Sequence, residues 1–179
     1  LNNNQLTNCK RNEFNFSSLK FIYLDGNLIE SIENGCFNSR LSYFKLNSNR
    51  IQNFSFENLN LFSKIELYDN LIVRLNEKMF KNLINLNYLN LRRNKISNIE
   101  INSFNISNSQ LFTIDLSENN LNLIESYLFR SLKKLYRLVF SHNKILIIHS
   151  NAFSGLENCL TELDLSNNKL KLIKSYYFN

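Results

Sequence analysis

The chain has no proline, only three glycines, three cysteines and two histidines in 179 residues. A domain of this size normally reverses direction at Gly and Pro, so this one must turn by some other, repeated device. No run of 18 apolar residues occurs, and Leu1-Asn2-Asn3-Asn4 lacks the basic-then-apolar order of a signal peptide, so no membrane insertion is expected of this segment. Cys9, Cys36 and Cys159 are too few and too scattered for a disulfide framework, and none forms a C-x-x-C pair for zinc or redox work. The redox compartment is left open. His142 and His149 have no Cys or acidic partner at ligand spacing, which excludes a metal or catalytic histidine, and no cofactor is expected.

Asparagine is what the chain has in excess, with 34 residues, alongside 44% apolar residues and 15 Phe, too many for a disordered tail. The asparagines are ordered. The string Leu-x-x-Asn-x-Leu or a close variant recurs at Asn4, Asn27, Asn49, Asn70, Asn94, Asn119, Asn143 and Asn168. With this Asn as position nine, position four reads Ile22, Phe44, Ile65, Leu89, Ile114, Leu138 and Leu163. Position six reads Leu1, Leu24, Leu46, Leu67, Leu91, Leu116, Phe140 and Leu165. Positions eleven and fourteen are apolar columns as well, the latter containing Cys9, and position nineteen is Phe in seven of eight repeats, with Leu59 the exception. Eight Asn in eight chosen slots arises by accident on the order of once in a million trials, so the chain is a repeat array.

Positions four and six alternate with polar neighbours, the period of a strand with one buried face, and stacking one such strand per repeat gives a parallel sheet. A single coil buries too little to stand alone, so stability must come from its neighbours. The Asn at position nine ends each strand where the chain turns inward, and its amide donates to and accepts from backbone groups that would otherwise be buried unpaired. Position nineteen fills the thick side with an aromatic stack. Around Asn49 and Asn70 the spacings shorten, which predicts irregularity on the convex side with the strands still in register.

The pattern resembles the leucine-rich repeat family in its typical form of about 24 residues, L-x-x-L-x-L-x-x-N-x-L-x-x-L-x-x-x-x-F, over the whole chain. The resemblance implies a right-handed α/β solenoid, or horseshoe, with a concave parallel sheet and an irregular or 3-10 convex side. Residues 1–179 read as one fragment of about eight repeats with both ends inside a repeat, and the capping cysteine clusters of extracellular members are not seen in it. The segment from Ala152 to Ser166 looks like the junctions of chaoptin-type adhesion proteins, and less closely like Toll-like and Slit-type ectodomains.

The outward positions of the sheet are two, three, five, seven and eight. They carry five of the eight Tyr, at Tyr23, Tyr43, Tyr68, Tyr88 and Tyr136, with Phe21, Lys45, Glu66, Arg92, Arg93 and Arg137, the composition of a protein-binding hot spot. Six bases face seven acids there, so the formal +6 lies elsewhere and a nucleic-acid groove is not expected. The first four complete repeats hold five bases and three acids, the last three one base and four acids. Ser141, His142 and Asp115 lie on a flat face without pocket or oxyanion donors, so no triad is expected, and His142 is read as a neighbour of Glu118. Cys9 reads as a small buried apolar residue, and Cys36 and Cys159 are too far apart to bond. The sequons at Asn15, Asn53 and Asn105 lie off the sheet face, where glycans leave it open. The expectation is a non-enzymatic module of an extracellular or cell-surface adhesion or recognition receptor, binding a protein ligand or a homophilic partner. The alternative is a cytoplasmic signalling scaffold.

Overall fold

A computed structural model of the chain describes residues 1–37, 40–56, 61–81, 83–106, 109–174 and 177. Seven three-residue strands, Phe21–Tyr23, Tyr43–Lys45, Lys64–Glu66, Tyr88–Asn90, Thr113–Asp115, Arg137–Val139 and Glu162–Asp164, pair in chain order into one parallel sheet. Position three pairs with position three throughout, from Phe21 against Tyr43 to Arg137 against Glu162. The short repeats keep this register, with Tyr43 opposite Lys64. The middle residue of each strand points inward, and Phe44, Ile65, Leu89, Ile114 and Leu138 are fully buried. The convex side adds three two-residue parallel ladders to the irregular turns: Asn8–Cys9 with Ser31–Ile32, Arg74–Leu75 with Asn98–Ile99, and Leu123–Ile124 with Ile147–Ile148. One short helix, Glu77–Phe80, is capped by Asn76, whose Oδ1 accepts from the Lys78 amide at 3.0 Å.

The strands stop after three residues because the asparagine at position nine takes over the backbone. Asn94 Nδ2 donates to Leu91 O at 3.1 Å and Arg92 O at 3.3 Å in its own coil, and to Leu67 O at 2.9 Å in the preceding one. Its Oδ1 accepts from Ile72 N at 3.1 Å. Asn49, Asn70, Asn119 and Asn143 repeat the arrangement. Each amide thus pairs carbonyls that the turn strands inside the coil.

The turning device also has a second part. The residue before each ladder asparagine lies in the left-handed region, with φ between 52° and 65°: Asn3, Gly26, Ser48, Asp69, Arg93, Glu118, His142 and Asn167. Only one of the eight is glycine. A left-handed side-chain-bearing residue costs roughly 1–2 kcal/mol, which the paired amide beside it offsets. This is how the chain turns with three glycines.

Packed rings run through the core without a break from Phe14 to Phe140. Phe80, Phe104 and Phe129 stack at 5.5 and 5.4 Å. At the short repeats Phe56 and Phe62 pack against Phe44, and Phe54 joins Phe56 at 4.8 Å to Phe80 at 5.8 Å. They carry the ring series past the coil of Leu59, which lies outside the described residues, as does Phe178.

Cys9 is not a plain apolar core residue. It forms a disulfide with Cys36, their Cα atoms 5.7 Å apart and the residues 27 positions apart. That separation is one repeat plus four residues, so position fourteen of one coil meets position eighteen of the next. The bond lies beside the hydrogen bonds Asn12 N to Gly35 O and Phe14 N to Cys36 O, which seat the first coil on the second. Cys159 is a free, half-buried thiol, and burial pushes its pKa up.

Candidate functional site

The register brings the outward residues of neighbouring strands side by side, and Glu66 is the hub. It forms ion pairs with Lys64 and, at 3.9 Å, with Lys45. Its carboxylate also accepts from Tyr43 Oη at 3.3 Å and from Asn47 Nδ2 at 3.1 Å. Burial alone would raise the Glu66 pKa, but the hydrogen bonds from Lys64 and Asn47 and the two lysine charges outweigh it and leave it below its usual range. Burial, reinforced by the Glu66 charge, pushes the Tyr43 phenol up to about 12. Lys64 Nζ lies 4.8 Å from the Tyr88 ring centroid and 5.9 Å from that of Tyr43, so one ammonium joins two rings. Burial and Asp115 raise the Tyr88 phenol.

A second cluster follows at the next turn. The Arg92 guanidinium lies 5.8 Å from the Tyr68 ring centroid and donates through Nε to Glu118 at 2.8 Å. Arg93, held in its left-handed turn, reaches back to Tyr68 Oη at 3.1 Å and Asp69 at 3.4 Å. Tyr68 is therefore flanked by two arginines whose charges are already matched.

Phe21 and Tyr23 stand more open, 56% and 45% exposed, with Tyr23 edge-on to Tyr43 at 6.1 Å. Tyr136 and Arg137 lie farther along the sheet, two strands past Tyr88–Asn90: Arg137 is ion-paired with Glu162 at 2.8 Å, and Tyr136 is 46% exposed. Its ring lies 6.4 Å from that of Phe112, itself 40% exposed. Phe112 was missed as a site residue; it occupies position two, as Tyr136 does, so the repeat register held the signal. Lys64 and Asn47 were also missed as members, because their role depends on the Glu66 carboxylate, two residues along the same strand from Lys64 and one coil on from Asn47. The last strands are plainer, with Thr113, Ser117, Ser141 and Val139 buried and Asp164 accepting from Ser166 N at 2.9 Å.

His142 does not pair with Glu118, which Arg92 holds; its ring nitrogen faces Asn167 Nδ2 at 3.2 Å. His149 instead lies 3.3 Å from Glu125 on the convex side. No group of His, Cys, Asp and Glu able to hold a metal occurs among the described residues, and no described helix is long and apolar enough to cross a membrane. The side chains of Asn15, Asn53 and Asn105 are exposed, and Asn105 Oδ1 accepts from Ser131 Oγ at 2.9 Å.

A leucine-rich repeat family model matches residues 109–170, and a BspA-type leucine-rich repeat region (6 copies) matches residues 1–71. The TLR13 chain of a TLR13–ssRNA13 complex superposes with a TM-score of 0.87 at 33% identity, covering 97% of this chain and 25% of that one. A leucine-rich repeat protein of Leptospira interrogans gives 0.78 at 26% identity, over 97% and 44% of the two chains. Drosophila Toll, in its complex with Spatzle, gives 0.79 at 24% identity over 97% and 27%, a likeness of fold. This chain therefore spans a quarter of TLR13 and less than half of the Leptospira protein. No curated protein sequence matches it significantly. Ladder, sheet and both family matches lead to one assignment: the chain is a leucine-rich repeat protein, folded as a parallel-stranded solenoid.

Proposed function

We propose that residues 1–179 form one continuous leucine-rich repeat domain of about eight repeats, a non-enzymatic module that binds a protein through its concave sheet. The binding residues are Phe21, Tyr23, Tyr43, Lys45, Glu66, Tyr68, Tyr88, Arg92, Arg93, Tyr136 and Arg137. One observation carries the reading: tyrosines fixed by charged neighbours stand beside the open rings of Phe21 and Tyr23. Rigid aromatic side chains lose little entropy on contact, and protein interfaces favour them for that reason.

The ligand is a protein, with a second copy of the chain included, rather than a nucleic acid. Lys45, Lys64, Arg92, Arg93 and Arg137 each have an acidic partner on the face. A phosphate backbone would have to displace those carboxylates to release counterions, which removes the usual source of its affinity. TLR13 is nevertheless similar in fold and was crystallised with ssRNA, so RNA belongs in the test.

The setting is an extracellular or cell-surface receptor with an adhesion or signalling role. The Cys9–Cys36 disulfide supports an oxidising compartment over the cytoplasm of a scaffold protein. Exposed Asn15, Asn53 and Asn105 are then N-glycosylated.

The deciding experiment measures the oxidised chain for self-association by sedimentation and for binding to an array of purified ectodomains and to a short single-stranded RNA. Tyr43→Ala, Tyr88→Ala and Lys81→Ala are run in parallel. Protein binding or self-association lost in both tyrosine variants and kept in Lys81→Ala supports the proposal. Binding of RNA alone, or loss only with Lys81→Ala, overturns it.

A further inference from the structure

Of the 34 asparagines only Asn34 precedes glycine. The pair occupies the corner of a reverse turn closed by Cys36 N donating to Glu33 O at 3.0 Å, with Gly35 at φ +82° and both residues exposed. Among the described residues the Gly35 amide donates no hydrogen bond. In comparable pairs elsewhere the amide of the second residue is held. In Asp25–Gly26 the Gly26 amide donates to Asn47 O at 3.0 Å. In Asn47–Ser48 the Ser48 amide donates to Tyr68 O at 2.9 Å, and in Asn102–Ser103 the Ser103 amide donates to Glu100 O at 2.9 Å.

We infer that Asn34–Gly35 is a self-modifying site, which water alone converts to aspartate and isoaspartate, loosening the joint between the first two coils. The Gly35 amide nitrogen loses its proton and attacks Cγ of Asn34. The new N–Cγ bond closes a five-membered imide as the Cγ–Nδ2 bond breaks, and the side-chain nitrogen leaves as ammonia with the proton returned. Water then opens the imide. Attack at Cγ gives aspartate at position 34. Attack at the main-chain carbonyl gives isoaspartate, with the backbone rerouted through Cβ and one carbon longer.

The location gives this chemistry a consequence. Gly35 O accepts from Asn12 N at 2.9 Å, Cys36 O accepts from Phe14 N at 3.0 Å, and Cys36 is bonded to Cys9. A main chain one carbon longer at position 34 shifts Gly35 and Cys36 together against the coil they hold, and adds a carboxylate next in sequence to Glu33, which accepts from the Arg11 amide at 3.1 Å. The disulfide keeps the first coil attached as its hydrogen bonds are lost. The inference is independent of what the concave face binds.

The test incubates the folded, oxidised chain at mildly alkaline pH and maps its tryptic peptides, after reduction, by mass spectrometry. The peptide spanning 21–40 is expected to gain about one dalton as ammonia is lost and water added. Fragment ions place the gain at position 34, and one of two isomeric products accepts a methyl group from an isoaspartate methyltransferase. Asn34→Gln abolishes the gain. In the isoaspartyl fraction, hydrogen exchange at the Asn12 and Phe14 amides speeds up. An Asn34 that stays amidated in the folded chain while it reacts in the reduced, urea-unfolded chain overturns the proposal. So does equal reaction at Asn47 and Asn102, and unchanged exchange at Asn12 and Phe14 overturns the loosening of the joint.

Discussion

Asn94 and Arg93 are neighbours in sequence and opposite in kind. Asn94 makes bonds that Asn49, Asn70, Asn119 and Asn143 make again, atom for atom, in their own coils. Arg93 makes two contacts, to Tyr68 and Asp69, that no other repeat reproduces among the described residues. The inner row satisfies main-chain groups, which are identical in every coil, so a single residue type serves all of them. The outer face serves some main-chain groups too, as where Asn90, Asp115 and Asp164 each accept from the amide two residues on, but its ion pairs and ring contacts join side chains that differ from coil to coil. Fold is carried by what repeats, and recognition by what does not.

The comparison breaks first where the inner row is cut. Asn94→Ala leaves the Ile72 amide without its buried acceptor and takes one of two amide donors from each of the Leu67 and Leu91 carbonyls, which Asn70 and Asn119 still serve, and a melt should show a loss of roughly 3 kcal/mol. Asn90→Ala removes one exposed acceptor, for Arg92 N, and should cost under about 1 kcal/mol. Equal losses would erase the distinction between inside and outside. Next in size is the joint at the first coil. Cys36→Ser opens a cross-link between residues 27 apart, worth about 3 kcal/mol on loop entropy. Hydrogen exchange should rise at Asn12 and Phe14 and leave the Thr113–Asp115 strand unchanged.

The outer face should respond in binding rather than in folding. Arg92→Glu sets an acid against Glu118 and strips the cation from the Tyr68 ring. Partner affinity should fall by about 1–2 kcal/mol, read by titration, with a melting temperature close to that of the parent. The smallest effect is a matter of pH. The folded state holds the Tyr43 phenol protonated to about 12, above its ordinary value near 10. Its contribution to stability is whole below that ordinary value and fades as pH rises through the folded one. Tyr43→Phe should remove this part of the alkaline decline in melting temperature, and an unchanged alkaline limb would mean the phenol is not held.

The inner row was legible in the sequence because periodicity reports any demand made in every coil: the buried columns, the ladder and the sheet register all follow from it. What occurs once escaped that reading. The Cys9–Cys36 bond joins different positions of two coils, so neither cysteine stands out in its own column. Tyr43, Tyr68 and Arg92 were recognisable as outward residues, but their gathering around Glu66 and Glu118 depends on side chains reaching across strands. The left-handed residue before each ladder asparagine was hidden for another reason. It imposes a backbone angle and no residue type, so it leaves no column to read.

That freedom has an evolutionary side. Because the ladder asparagine offsets the left-handed turn, the residue before it has only to tolerate the angle, and the rim of the sheet reads Asn, Gly, Ser, Asp, Arg, Glu, His, Asn from the first coil to the last. Every charge state is present in one line, spaced by a single strand separation of about 4.8 Å. Point substitution rewrites one letter of this line and leaves the scaffold alone. Duplication or loss of a whole coil by unequal recombination slides all later letters by one step without breaking the ladder. Two routes to a new specificity are thus open to the chain, one by spelling and one by shifting, and neither disturbs the core.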